Sequence, residues 1–400
     1  MIKLICKDVV YVTGAKNGAI YNFQNKHVYS IKHEGTEIIN KHLLNPQQLS
    51  DEEKKFINIV KEKVGISEIN NIDYKFTNNN DKQLKFAWLE VTQRCNMRCV
   101  HCYEGKEHFE SDSPLSFEKW ISILDELYEV GCNSIQFIGG EPTLYNKLPE
   151  LVDYAYQKGF KSIVIFTNLS NLSEKLLKSI INSGCKIRFS IYGSNAFIHE
   201  SVTQIKGSFE KLVKNLKILI KNNVKVSPAF IVMKENEDDK DNMCTFLKSI
   251  NSDLEFEAKQ FDEIRKVYGG NQEKHMVKNP TCIKKSPGFM TNKNYFDNSL
   301  NKNTCWHGKF VISTNGDVYP CEFERTIVYG NVKKQSVKDI LSSPKLKKCW
   351  GMSFKHINYC KDCEYRFACK DCRPLGYAER GIWTDKSYRC TYNPYTGTWL

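Results

Sequence analysis

The chain has 400 residues, 41% hydrophobic and 12% aromatic, which suits two or three packed domains and excludes a disordered protein. Its formal net charge of +12 comes from lysines spread along the whole length, the pattern of a solvated surface and not of a nucleic-acid footprint. No apolar run reaches the length of a membrane span, and the N-terminus lacks a signal peptide's apolar region, so the expected location is cytoplasmic. In that setting the sixteen cysteines point to metal binding and not to disulfides, and twelve of them fall between Cys95 and Cys102 or between Cys282 and Cys390.

Residues 1–83 hold no ligand cluster. Short β-like runs, Ile2–Ile5, Val9–Val12, Ala19–Asn22 and His27–Ile31, are separated by turn residues such as Gly14 to Gly18. Two helical patterns follow, the second opened by the capping-box sequence Ser50-Asp-Glu-Glu53. The segment reads as a small α+β domain.

Residues 84–280 alternate strand and helix. The predicted strands are 85–91, 134–138, 161–167, 185–191, 225–232 and 254–259, with helical patterns at Phe117–Tyr128, Glu174–Ile181 and Phe209–Ile220. Six β/α units imply a parallel, barrel-like sheet with active residues at the carboxyl ends of the strands. Directly after the first predicted strand comes Cys95-x3-Cys99-x2-Cys102, and after the second comes Gly139-Gly140-Glu141-Pro142. Three thiolates on one short loop can hold three irons of a four-iron cluster and leave one iron for an outside ligand. A structural zinc site usually pairs Cys-x2-4-Cys units and closes four ligands.

These two motifs, in this order and each after a strand, resemble the radical S-adenosylmethionine (SAM) enzymes. The resemblance implies a partial (β/α)6 TIM-like barrel of radical SAM type, with Cys95, Cys99 and Cys102 binding a [4Fe-4S] cluster. It also implies that Gly139, Gly140, Glu141 and Pro142 meet the methionine end of SAM, and that Thr167, Asn168, Ser190 and Tyr192, at strand ends, meet its ribose and carboxylate. The residue before the third cysteine is commonly Tyr or Phe in the family and packs beside adenine; here it is His101, followed by Tyr103.

Residues 281–400 are the second cysteine-rich stretch. Cys305, Gly316-x4-Cys321, Cys360-x2-Cys363-x5-Cys369-x2-Cys372 and Cys390 resemble the SPASM extension, although its usual last spacing is x3. Paired Cys-x2-Cys units also read as a zinc ribbon. The resemblance implies two auxiliary [4Fe-4S] clusters, three in all. One would be closed by Cys360, Cys363, Cys369 and Cys390. The other would be held by Cys305, Cys321 and Cys372, with Cys282, then Cys349, as the nearest fourth ligand, or with an open iron. Lone cysteines such as Cys6, Cys132, Cys185 and Cys244 read as small buried hydrophobes.

Together with Phe189 to Gly193, His199-Glu200 and Gly207 to Phe209, these motifs are similar to peptide maturases of ribosomal natural-product pathways, of the grasp-with-spasm type. That likeness implies a peptide-modifying oxidoreductase. SAM would be cleaved to a 5′-deoxyadenosyl radical, hydrogen taken from a precursor peptide, and a thioether or C–C/C–O crosslink installed. It implies an electron donor such as flavodoxin or ferredoxin, no nucleic-acid or membrane partner, and precursor recognition by residues 1–83 through an added β-strand. Glu322, next to Cys321, matches an acidic proton acceptor of sulfatase-maturing relatives. The alternatives are an anaerobic sulfatase-maturing enzyme forming formylglycine, a peptide epimerase, or a cluster-binding scaffold without catalysis.

Overall fold

Period-two alternation at the N-terminus covers both faces of a small sheet. In the computed structural model, which describes residues 1–76, 83–105, 114–252, 262–267, 272–278 and 280–400, the strands sort into two sheets. The first contains β1 (Ile2–Cys6), β2 (Val9–Thr13), β3 (Gly18–Asn22), β4 (Val28–Ile31) and β5 (Ile72–Asp73), in the order β4-β3-β2-β1-β5 with antiparallel neighbours. Ile5, Val9, Tyr11 and Ile20 face helices His33–Leu44 and Asp51–Val64, packing on Ile39, Leu43, Ile57, Val60 and Val64. Val10, Val12, Ala19 and Tyr21 point the other way, onto Phe296, Tyr365, Phe367 and Tyr392. Residues 1–81 therefore form one compact unit with Ile283–His307 and Lys348–Leu400.

The predicted cap is present in full: Ser50 Oγ accepts from the Glu53 amide at 3.2 Å while Glu53 Oε2 accepts from the Ser50 amide at 2.7 Å. The same helix ends at Gly65, whose φ of +77° suits a residue without Cβ.

The second unit, Lys82–Cys282 with Gly308–Lys347, is built on a nine-stranded sheet. Its strands are β6 (Phe86–Thr92), β7 (Ser134–Gly139), β8 (Ser162–Thr167), β9 (Lys186–Ile191), β10 (Val226–Val232), β11 (Asp262–Glu263), β12 (Lys309–Ile312), β13 (Asp317–Tyr319) and β14 (Gly330–Asn331). The order is β11-β10-β9-β8-β7-β6-β12-β13-β14. Strands β6 to β11 run parallel, and the connections of β6 through β10 carry helices, including Phe117–Glu129, Glu174–Ser183 and Ser208–Lys221. This is the expected α/β architecture, and five predicted strands match observed ones to within a residue at each end. The sixth, 254–259, lies outside the described residues. One feature was not expected: β12, from the cysteine-rich C-terminal stretch, lies parallel beside β6 and extends the sheet. Among the described residues no helix is long and apolar enough to cross a membrane.

Candidate functional site

The loop after β6 is fixed by its own backbone. The Met97 amide donates to Cys95 Sγ at 3.4 Å, and the Cys102 amide to the Cys99 carbonyl at 3.1 Å. Arg98 and Val100 donate to the carbonyls of Thr203 and Val202, anchoring the loop to helix Ala196–Thr203. The three thiols are close enough to act on one another. Burial raises Cys99 far above an ordinary thiol, and the neighbouring Cys102 and Cys95 add to the shift. Burial likewise pushes Cys95 up to about 11, opposed by the Met97 amide. Clustered buried thiols, with Arg98 the cation that acts on Cys95, suit an iron–sulfur core, since a bound metal deprotonates its thiols. The donor set thus fits a cluster.

The Gly-Gly-Glu-Pro loop lies directly against this loop. The Gly140 amide donates to the Thr92 carbonyl and the Glu141 amide to the Arg94 carbonyl, both at 2.8 Å. A Cβ on Gly140 would stand 2.4 Å from the Gln93 carbonyl oxygen and 2.6 Å from that of Arg94. At Gly139 it would stand 2.1 Å from the Thr92 carbonyl oxygen. The close approach that these glycines permit is therefore to the cluster loop's backbone. Glu141 is 1% exposed and ties the strand ends together. Its Oε1 accepts from the Thr143 amide (3.1 Å) and the hydroxyls of Thr143 (2.7 Å) and Thr167 (2.6 Å), and its Oε2 from the Asn168 amide (2.6 Å). Pro142 begins the short turn that follows. The Asn168 side chain donates to Asn96 of the cluster loop at 2.8 Å, so Thr167 and Asn168 brace both loops.

Ser190 and Tyr192 end β9. Tyr192 packs in one apolar cluster with Cys99, and its ring meets His101 edge-on at 4.9 Å. The Tyr192 amide donates to Nδ1 of the buried His199 at 3.2 Å. Burial lowers His101 to about 4, which keeps the ring neutral.

Tyr103 packs on Phe323 with ring centroids 5.2 Å apart, next to Glu322. Burial raises the Glu322 carboxyl, while Arg265, Arg188 and Arg325 pull it down. Arg325 pairs with Glu104 at 2.8 Å and with Glu90 at 3.2 Å. Sequence reasoning missed Glu90, Glu104, Arg188, Arg265 and Arg325. A buried glutamate inside the apolar strand Phe86–Thr92 was the available signal for the first.

Within the first unit, Cys360, Cys363 and Cys369 are raised chiefly by burial; Cys369 and Cys390 act further on Cys360, and Cys360 and Cys369 on Cys363. Lys284 Nζ lies 3.2 Å from Cys369 Sγ, and its backbone is bridged to Arg389 and Thr391 on either side of Cys390. Cys305 and Cys372 also belong to this unit, as does the buried Cys349. Asn303 caps the Cys305 amide at 2.9 Å and reaches Asp371 at 3.1 Å. Cys321 and Cys282 belong to the second unit, where Glu263 accepts from the Cys282 amide at 3.1 Å and from its thiol.

The first unit also carries a groove of about 510 Å³ between β4 and its two helices, lined by Tyr29, Ile31, Ile38, Phe56 and Ile59, with Lys32 and Lys63 at its sides. β4 is the sheet's edge strand, and Phe289 and Met290 pair only with its first residues.

Comparison with known proteins gives matches across both units. Residues 89–247 match the radical SAM superfamily, and residues 305–364 match the SPASM iron–sulfur cluster-binding domain. The Fe-coproporphyrin III synthase of Methanosarcina barkeri is 32% identical over 157 residues, 39% of each chain. The antilisterial bacteriocin subtilosin biosynthesis protein AlbA of Bacillus subtilis is 26% identical over 282 residues, 66% of this chain and 61% of AlbA. The chain thus spans less than two thirds of both relatives. Streptococcus suis SuiB, in its structure bound to precursor peptide SuiA, shares the fold with a TM-score of 0.59 at 14% identity, covering 98% of this chain and 100% of SuiB.

Proposed function

From a chain whose residues 89–247 match the radical SAM superfamily and whose residues 305–364 match the SPASM cluster-binding domain, we infer a maturase that crosslinks a ribosomally made precursor peptide. The observation that carries the reading is the pair of hydrogen-bonded loops at the ends of β6 and β7, three neighbouring cysteines on one and Gly139–Pro142 on the other. The likeness to AlbA, a bacteriocin biosynthesis protein, supports a peptide substrate.

In this reading Cys95, Cys99 and Cys102 hold the SAM-binding [4Fe-4S] cluster. When bound, cluster and SAM supply one-electron cleavage to a hydrogen-abstracting 5′-deoxyadenosyl group. Glu141 orients the strand-end loops through Thr143, Thr167 and Asn168, leaving acceptor capacity on Oε2 for the SAM ammonium. His101, Tyr103, Ser190 and Tyr192 shape the adenosine side. The peptide loses one hydrogen atom to the 5′-deoxyadenosyl group; closing the new bond releases a proton and an electron. Glu322, raised by burial, is the proton acceptor. Cys360, Cys363, Cys369 and Cys390 would hold one auxiliary cluster, and the resemblance gives Cys305, Cys321 and Cys372 for the other, with Cys282, Cys349 or an open iron in the fourth place; bound there, these groups would supply an acceptor for the electron. A flavodoxin- or ferredoxin-type protein reduces the first cluster. The groove beside β4 takes an extended segment of the precursor, with apolar residues on Ile38, Phe56 and Ile59.

The test is mass spectrometry of the small peptide encoded beside this gene after anaerobic co-expression. Loss of two hydrogens, with fragment ions absent between the joined residues, is the expected result. Unchanged mass with deuterium taken up from solvent would instead identify an epimerase, and a change confined to one Cys or Ser a formylglycine-forming enzyme. Production of 5′-deoxyadenosine must disappear when Cys95, Cys99 and Cys102 are replaced by Ala.

A further inference from the structure

Strand β9 has two chemically different faces. Ile187, Phe189 and Ile191 are buried, while Lys186 and Arg188 alternate to the other face and are exposed, followed there by Ser190. Arg188 stands in register with Phe166 of β8 on one side and Ser227 of β10 on the other. Its guanidinium lies 5.5 Å from the centre of the Phe166 ring. A guanidinium seated on an aromatic face keeps its N–H edges available for a bidentate partner. Ser227 of β10 is exposed as well, in register with Arg188 on the side away from Phe166.

Three arginines act electrostatically on Glu322: Arg265, Arg188 and Arg325. Arg265 is already paired with Asp262, and Arg325 with Glu90 and Glu104. Among the described residues Arg188 has no ion pair, and it shares its face of β9 with Ser190 at the strand's end. Lys186 adds a second exposed cation on the same face. A fork of donors on an apolar platform is chemically suited to a carboxylate and poorly suited to a neutral or cationic group.

We propose that Arg188, seated on Phe166 on the face of β9 that carries Ser190, binds a carboxylate of the peptide substrate and so selects peptides with an acidic residue close to the residue modified. The assignment rests on the peptide-maturase reading for its substrate, but its test needs no turnover. Fluorescence anisotropy of SAM-loaded holoenzyme would compare two fluorescein-labelled, C-terminally amidated dodecapeptides, alternating Ala-Glu and alternating Ala-Gln. The Glu peptide is expected to bind roughly tenfold more tightly, and Arg188→Gln to remove that preference. Lys214→Gln, at an exposed position of helix Ser208–Lys221, removes the same formal charge and should leave the preference intact. A third probe, the Gln peptide with a free C-terminus, separates the two sources of carboxylate: if it alone gains affinity in an Arg188-dependent way, the group recognised is the chain end. Arg188 is exposed, so its variant should keep the iron content and cluster absorbance of the parent. Equal binding of all three probes, or a preference that survives Arg188→Gln, overturns the proposal. Arg188-dependent binding without any crosslinked product would leave this site standing while the maturase reading fell.

Discussion

At the scale of single residues, the site is governed by backbone proximity. Gly140 faces the carbonyls of Gln93 and Arg94 with no room for a methyl group. Gly140→Ala should therefore push the cluster loop away from the end of β7 and leave the first unit unaffected. Iron analysis and EPR of reconstituted protein would check this: about one cluster's iron should be lost, together with the SAM-induced change in the EPR signal. An unaltered spectrum would show that the two loops need not touch. The cysteine triplet and Gly-Gly-Glu-Pro were legible in the sequence because each is a local word with its own chemistry. The charged group around Glu322 was not, because Arg325 reaches Glu90 across 235 residues and Glu104 across 221. No spacing rule joins side chains so far apart. Glu141 shows a subtler gap: its motif was visible, yet its four hydrogen bonds to Thr143, Thr167 and Asn168 depend on how two strand ends meet.

At the scale of elements, patterns that repeat within a few residues carried most of the information. Strands β6 and β7 were legible as near-continuous apolar runs, and β8 and β9 as runs that alternate a buried residue with a more exposed one. Helix Asp51–Val64 was legible from its cap, and the cap makes a quantitative expectation. Ser50→Ala should cost about 1 kcal/mol, read as a lower urea midpoint for the first unit with an unchanged m-value. A shift too small to measure would mean that packing of Ile57, Val60 and Val64 alone sets this helix's start. Strand β12 escaped notice because its four residues, Lys309–Ile312, fall among cysteines and are too short to show a period. Only pairing with β6 defines it.

At the scale of the whole molecule, chain order conceals which parts fold together. Residues 1–81 share a core with the C-terminal cysteine region: Tyr21 donates to the Glu364 carbonyl at 2.6 Å, Arg366 to the Thr13 carbonyl at 3.2 Å, and Tyr365 to Ser30 at 2.8 Å. Deleting residues 1–83 would uncover Phe296, Tyr365, Phe367 and Tyr392. Burying an aromatic side chain removes about 150–250 Å² from water, worth roughly 25 cal/mol per Å², so the loss would amount to several kcal/mol. The truncated protein should be insoluble, or lack the iron assigned to Cys360, Cys363, Cys369 and Cys390. A soluble truncation with full iron content and only weaker peptide binding would show instead that the N-terminal strands are a detachable adaptor.

That shared core bears on attempts to retarget the protein. A chimera that borrows its first eighty residues from a related protein would inherit a foreign surface opposite Phe296, Tyr365, Phe367 and Tyr392. Grafts should succeed only when those four aromatic positions travel with the donor segment, so exchanging the N-terminal strands and preserving the fold of the C-terminal cysteine region become a single engineering problem.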